Sequence, residues 1–237
     1  MREKWRRRKI NPFLKFFILI CIDIYIFTKF GKIYGFLGLG IILYRFLDML
    51  GIIRSPKIFR GAFPEGIVYL KDYQGKPYNS PEALKEAADL IKNYKLNNYL
   101  IIVIFYDRPG EIPFEKQRCS VGIYKKNTGF PDPVPEEFEN YCKANNYYSV
   151  ELPNTTCIFS RWDFTNGFAM MTGYVKFRKI IKDSLKDAVF RKMYRISESS
   201  SIVVELFASE SRLEFYIPTV NEDKFLVYRK EDKPKNE

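Results

Sequence analysis

The sequence contains no histidine, which removes Ser-His-Asp and Cys-His catalysis, imidazole metal ligands and the usual proton shuttle near neutral pH. It has only four cysteines, Cys21, Cys119, Cys142 and Cys157, with no C-x-x-C pair and no disulfide-rich spacing. Cys21 falls in an apolar N-terminal stretch, and the other three are an odd number, so they read as reduced, small residues facing a reducing compartment. Net charge is almost lacking beyond residue 60, where 26 Lys and Arg face 25 acids; all but one unit of the formal +11 sits in residues 1–60, with 13 against three. A nucleic-acid-binding domain needs a basic face. Lys176, Arg178, Lys179, Lys182 and Lys186 read instead as a solvated helix face, and neither a nucleic-acid partner nor a metal or cofactor is expected.

What the sequence has in plenty is apolar length at its start. A basic cluster at 1–9, MREKWRRRK, precedes a run from Asn11 to Ile53 that is broken by Lys15, Asp23, Lys29, Lys32, Arg45 and Asp48. No small-residue cleavage site follows, so residues 10–53 are expected to be a permanent membrane anchor. Two arrangements fit. A single helix of about 20 residues crosses a bilayer, with Ile24–Tyr44 the cleanest window, although Lys29 and Lys32 each cost up to about 3 kcal/mol near its centre. The alternative is a hairpin with arms Phe13–Phe30 and Ile33–Ile53 turning at Gly31. Basic residues ahead of the first arm favour a cytosolic N-terminus; a single span then sends the domain into the lumen, and a hairpin returns it to the cytosol.

Residues 54–65, RSPKIFRGAFPE, mix Pro, Gly and charge and read as a linker, and residues 229–237 as a charged tail. Between them two series of elements emerge. Gly66–Tyr73 is a strand, and Ser80-Pro81-Glu82 opens a helix with cap, proline and acid in their preferred places. Leu84, Ala87, Ala88, Ile91 and Tyr94 recur at helical spacing. Tyr99–Tyr106, apolar on both parities, reads as a central strand. Asp107-Arg108-Pro109-Gly110 stops it, because proline lacks a ladder donor and glycine admits a turn. Cys119–Tyr124 returns. After a break at Pro131–Pro135 come a short helix, Glu136–Ala144, and a strand, Tyr147–Leu152. The second series is a strand at Thr155–Trp162, a helix capped by Thr165 or Asn166 and running over Gly167–Arg191, then a hairpin of Ile202–Ala208 and Arg212–Ile217. Each half is thus strand, helix, strand, strand.

The pattern Tyr106-Asp107-x-Pro109, an Ile-Pro loop, then Arg118-Cys119-x-Val121-Gly122 resembles the GyrI-like (SOUL-like) small-molecule-binding domain. It is most similar to the membrane-anchored eukaryotic branch typified by testis-expressed protein 264, which are endoplasmic reticulum autophagy receptors. Val203–Phe207 and Phe215–Pro218 support it, and it covers Gly66–Tyr228. The resemblance implies an α+β fold: a duplicated βαββ domain with an antiparallel sheet and two main helices, preceded by a membrane helix or hairpin. Tyr106, Asp107, Pro109, Arg118 and Gly122 are its structural motif residues.

In ligand-binding relatives an acid ringed by aromatics accepts organic cations; Glu205 is the matching acid here, with Tyr106, Trp162 and Tyr216 as candidate walls. A solvated strand residue is the competing reading of Glu205. Some relatives are hydrolases, but no acid pair is marked here, and an enzyme is not expected. The resemblance further implies an adaptor or receptor at the endoplasmic reticulum membrane or nuclear envelope, its domain in the cytosol, with membrane lipid, ubiquitin-like autophagy modifiers or a AAA segregase as partners, the last in quality control or DNA-protein crosslink repair. A modifier-docking peptide is aromatic-x-x-aliphatic; Tyr147-Tyr148-Ser149-Val150 and Tyr99–Ile102 fit the spacing but lie in expected strands. Asn154-Thr155-Thr156 is a glycosylation sequon.

Overall fold

The computed structural model describes residues 12–75, 81–96, 98–107, 112–127, 134–164, 166–196, 202–209 and 211–228. Ser80, Pro109, Thr165 and the tail 229–237 lie outside them. The chain separates into two units, residues 1–55 with 164–174, and residues 56–163 with 175–237.

The first unit corrects the single-span expectation. Gly31 takes a φ of 95°, a left-handed value that favours glycine, and splits the apolar run into α1 (Pro12–Phe30) and α2 (Lys32–Met49). The window Ile24–Tyr44 is therefore not one helix. Among the described residues no helix is long and apolar enough to cross a membrane. Each arm carries three charged residues, Lys15, Asp23 and Lys29 in α1 and Lys32, Arg45 and Asp48 in α2. The arms fold onto one another. Phe27 and Phe36 meet edge to face at 6.2 Å, and a Cβ on Gly38 would fall 1.8 Å from an Asp23 carboxylate oxygen, so a side chain there would have to turn that carboxylate away. Arg54 closes the C-terminal end of α2, bonding the Asp48 carboxylate at 3.0 Å and the Asp48 carbonyl at 2.8 Å.

The second unit is built on one antiparallel sheet of eight strands: β1 (Ile58–Phe63), β2 (Gly66–Gln74), β3 (Tyr99–Phe105), β4 (Arg118–Lys126), β5 (Tyr148–Leu152), β6 (Thr155–Asp163), β7 (Val203–Ser209) and β8 (Arg212–Pro218). Their order is β1-β6-β8-β7-β3-β4-β2-β5. Strand β1 lies inside the expected linker. Its Pro and Gly content masks a six-residue ladder in which Ile58 faces Ser160 and Phe63 faces Thr155; proline and glycine are tolerated at such an edge.

The sheet order shows the duplication directly. Three strands of each half, β2-β4-β3 and β6-β8-β7, are arranged alike about the central pair, in which Val103 faces Glu205. The helices cover one face. From α3 (Pro81–Asn93), Ala83, Ala87 and Leu90 are buried. From α4 (Glu136–Ala144), Phe138 packs on Tyr69 at 4.9 Å and Tyr99 at 6.4 Å. The expected helix over Gly167–Arg191 is two, α5 (Gly167–Lys186) and α6 (Ala188–Tyr194). Asp187 divides them: it is extended, and its carboxylate caps α6 through the Val189 N–H at 2.8 Å. Asn166 caps α5, accepting from the Ala169 N–H at 2.8 Å. Phe177 of α5 stacks on Phe215 at 3.7 Å.

Two short links decide the shape of the other face. Only Pro64 and Glu65 join β1 to β2, and only Pro153 and Asn154 join β5 to β6, yet each link connects strands near opposite ends of the sheet. Three chain steps reach at most about 11 Å. The sheet must curl until its ends converge, and its helix-free face becomes the inside of the curl. Tyr124 fastens the seam, its hydroxyl donating to the Pro64 carbonyl at 2.8 Å.

Candidate functional site

The concave face is set by strand alternation. Phe63, Leu70, Ile102, Ile104, Tyr106, Tyr124, Val204, Leu206 and Tyr216 form one buried cluster there. Two polar groups interrupt it, one from each half, at positions the duplication makes equivalent: the cross-strand pair Asp72–Ser120 and the cross-strand pair Arg161–Glu214.

In the first, the Asp72 carboxylate accepts from the Ser120 hydroxyl at 2.5 Å and from the Tyr148 hydroxyl at 2.6 Å. Tyr106 then donates to Ser120 at 2.8 Å. The result is a relay of neutral donors ending on one acid. Burial is the main reason the Tyr106 and Tyr148 phenols lie far above their usual range, so both keep their protons. In the second, Glu214 accepts from the Tyr216 hydroxyl at 2.7 Å and from Arg161 Nε at 3.3 Å. Burial, reinforced by that bond to Glu214, likewise raises the Tyr216 phenol.

Of the four residues expected to line a groove, Tyr106 and Tyr216 are on this face. Glu205 and Trp162 are not, and the expectation for them is corrected: Glu205 pairs with Phe215 and Trp162 with Leu213 on the helix-covered side. Glu205 is neither solvated nor in a roomy cavity. It is buried with Phe105, Phe177, Arg178, Ile181 and Val203 around a void of about 10 Å³, which leaves no room for a guest. Among the described residues, the acids that tyrosines of the concave face bond are Glu214 and Asp72. Glu214 was within reach of the sequence, since Glu214 and Tyr216 have one parity in Leu213-Glu214-Phe215-Tyr216-Ile217-Pro218. Asp72 had no local signal, because its partners come from β4 and β5.

The motif residues take structural places. Asp107, at the end of β3, accepts from the Arg118 backbone N–H at 2.7 Å and from its guanidinium at 2.8 Å, while the Tyr106 N–H donates to the Arg118 carbonyl at 3.1 Å. This clamp fixes where β3 leaves and β4 begins. Asp107→Asn is expected to cost about 1.5–3 kcal/mol, because a buried charge-assisted set loses its charge and gains an amide N–H facing donors. Urea unfolding would check it; an unchanged midpoint would show that the clamp contributes nothing. Gly122 stands where a Cβ on β4 would run into the backbone of β2.

Three of the thiols, those of Cys119, Cys142 and Cys157, are buried. Burial, the largest cause in each case, pushes Cys119, Cys142 and Cys157 up to about 12. The peptide Tyr147-Tyr148-Ser149-Val150 largely coincides with β5, where the Tyr148 hydroxyl is engaged by Asp72.

No protein-family model and no curated protein matches the chain. Solved structures do. The EcmrR C-terminal domain is 11% identical, with 69% of this chain and 96% of that one covered at a TM-score of 0.40. SAV2435 bound to tetraphenylphosphonium is 8% identical, with 68% and 93% covered at 0.43. A hydrolase from Listeria innocua is 15% identical, with 69% and 92% covered at 0.39. At such values the likeness stands beside the geometry without adding to it.

Proposed function

We propose that the chain is a membrane-tethered adaptor or receptor of the GyrI-like type, whose helical hairpin seats in lipid and whose β domain binds without catalysis. The observation that supports this is the hairpin surface: Phe17, Phe30, Tyr34, Phe36, Leu37 and Ile41 are all more than 60% exposed. An apolar patch of that size marks a membrane or protein contact, and the basic residues 1–9 that precede it suit anionic headgroups. A hairpin that enters and leaves on one side is in keeping with a domain on the cytosolic face of the endoplasmic reticulum, the side that the basic residues ahead of the first arm favour. The reticulophagy-receptor role, with ubiquitin-like modifiers or a AAA segregase as partners, belongs to the same reading.

The test is flotation of the full chain with vesicles containing anionic lipid, followed by protease treatment of intact microsomes. The chain should float, lose the property on deletion of residues 1–53, and yield its C-terminal epitope to external protease. Asn154 is exposed in the β5–β6 link, so a glycan there would report the lumen. A chain that stays unbound, or a protected epitope, would end this reading.

A second reading is favoured by the concave face. Two acids among tyrosines suit an aromatic or amphipathic cation, which an acid attracts and ring faces hold.

A further inference from the structure

The concave face is already occupied, and by the chain itself. After β8, the Thr219 N–H donates to the Thr156 carbonyl at 3.0 Å and the Thr155 hydroxyl to the Val220 carbonyl at 2.6 Å. These are the last hydrogen bonds to the sheet along the backbone of this segment among the described residues. Asn221 then turns the chain with a φ of 54°. A short 3-10 turn, Glu222–Phe225, carries it back across the curl. From Lys224 onward the backbone bonds are local, Lys224 to Asn221, Leu226 to Asp223 and Val227 to Phe225.

Among the described residues, side-chain packing holds the outer end of this segment down. Phe225 is fully buried and meets Phe63 edge to face at 5.4 Å. Val227 and Tyr228 pack on the same cluster less completely. The Tyr228 ring lies 5.4 Å from that of Tyr106, a member of the relay that ends on Asp72, and the Arg118 guanidinium lies over it at 5.7 Å. Tyr228 thus presents to this end of the face an aromatic ring accompanied by a cationic group. Asp72, Asp107 and Arg118 leave one negative charge there.

We propose that Asn221–Tyr228 is a strap that serves as the domain's own ligand, and that an aromatic cation enters at Tyr106 and Asp72 by displacing Tyr228. The strap is a closing device because it is fully buried at Phe225 and only partly buried at Tyr228, so the outer end lifts while the core stays filled. The proposal rests on the second reading above. A guest must compete with a tethered occupant, and its apparent affinity falls by the fraction of time the strap is open.

Two measurements test it on the full chain in lipid nanodiscs. Hydrogen exchange should show the Leu226–Tyr228 amides exchanging well ahead of those in β3 and β8; exchange only with global unfolding would overturn the strap. Titration calorimetry with benzyltrimethylammonium should show Tyr228→Ala binding about tenfold more tightly than the unaltered chain, and Asp72→Asn abolishing the gain. Equal affinity in both chains would overturn the strap while keeping the binding reading. Absence of binding in both, with Tyr228→Ala folded, would overturn the binding reading itself and the guest with it. Should Tyr228→Ala fail to fold, Tyr228 is core and the strap is overturned.

Discussion

Gly122→Ala is expected to yield no folded domain. A Cβ at this position would lie 1.8 Å from the Tyr69 carbonyl oxygen, 2.9 Å from its carbon and 3.0 Å from the Leu70 Cα. All three are backbone atoms of β2, held in a nine-residue ladder to β4, so no rotamer change relieves the clash. Separating the strands sacrifices ladder bonds at the middle of one half of the sheet. A cost above about 4 kcal/mol belongs to the exceptional class of point mutations and consumes much of a typical domain's roughly 5–15 kcal/mol. Soluble yield and far-UV circular dichroism would read the outcome, with Gly40→Ala as control because nothing lies within 4 Å of its Cβ position. A cooperative transition near that of the unaltered chain would refute the expectation.

Phe63→Ala should be the most damaging change among the side chains of the seam. Phe63 is fully buried at the end of β1, with Tyr216 at 5.1 Å, Phe225 at 5.4 Å and Tyr124 at 5.5 Å. Truncation removes the ring that three others pack against, and the tight links on either side limit collapse into the space. The expected loss is about 3–5 kcal/mol, or a fall in Tm of roughly 6–20 °C for a domain of this size. Phe59, on the same strand but half exposed, should lose far less on truncation to alanine. Denaturant melts of the two variants would settle the matter; equal losses would mean that β1 acts only as an edge and not as a plug.

Much of the sheet was legible in the residues. The uniformly apolar run Tyr99–Tyr106 became β3 at the centre, and Glu136–Ala144 became α4 with those bounds, because each carries its own periodicity and breakers. Features that depend on distant partners were not. RSPKIFRGAFPE resembles a linker until the ladder to β6 is known. The Gly167–Arg191 periodicity runs through Asp187, where a side-chain cap starts a new helix instead. The site failed on parity: Glu205 and Glu214 both stand between apolar neighbours in adjacent strands, and only the register shows which one faces inward. The segment after Pro218 has almost no periodic pattern, since its two aromatic anchors find their partners, Phe63 and Tyr106, far earlier in the sequence.

The two-residue links at Pro64-Glu65 and Pro153-Asn154 also dictate an order of assembly. They join sequence neighbours that are never sheet neighbours, so two of the shortest connections in the domain close no hairpin. The hairpins β3–β4 and β7–β8 can zip locally within microseconds, but Ile58 must wait for Ser160 and Gly66 for both Lys126 and Leu152. Such distant pairings make folding slow. During synthesis, β1 leaves the ribosome early and stays unpaired, with Phe63 uncovered, until β6 has emerged.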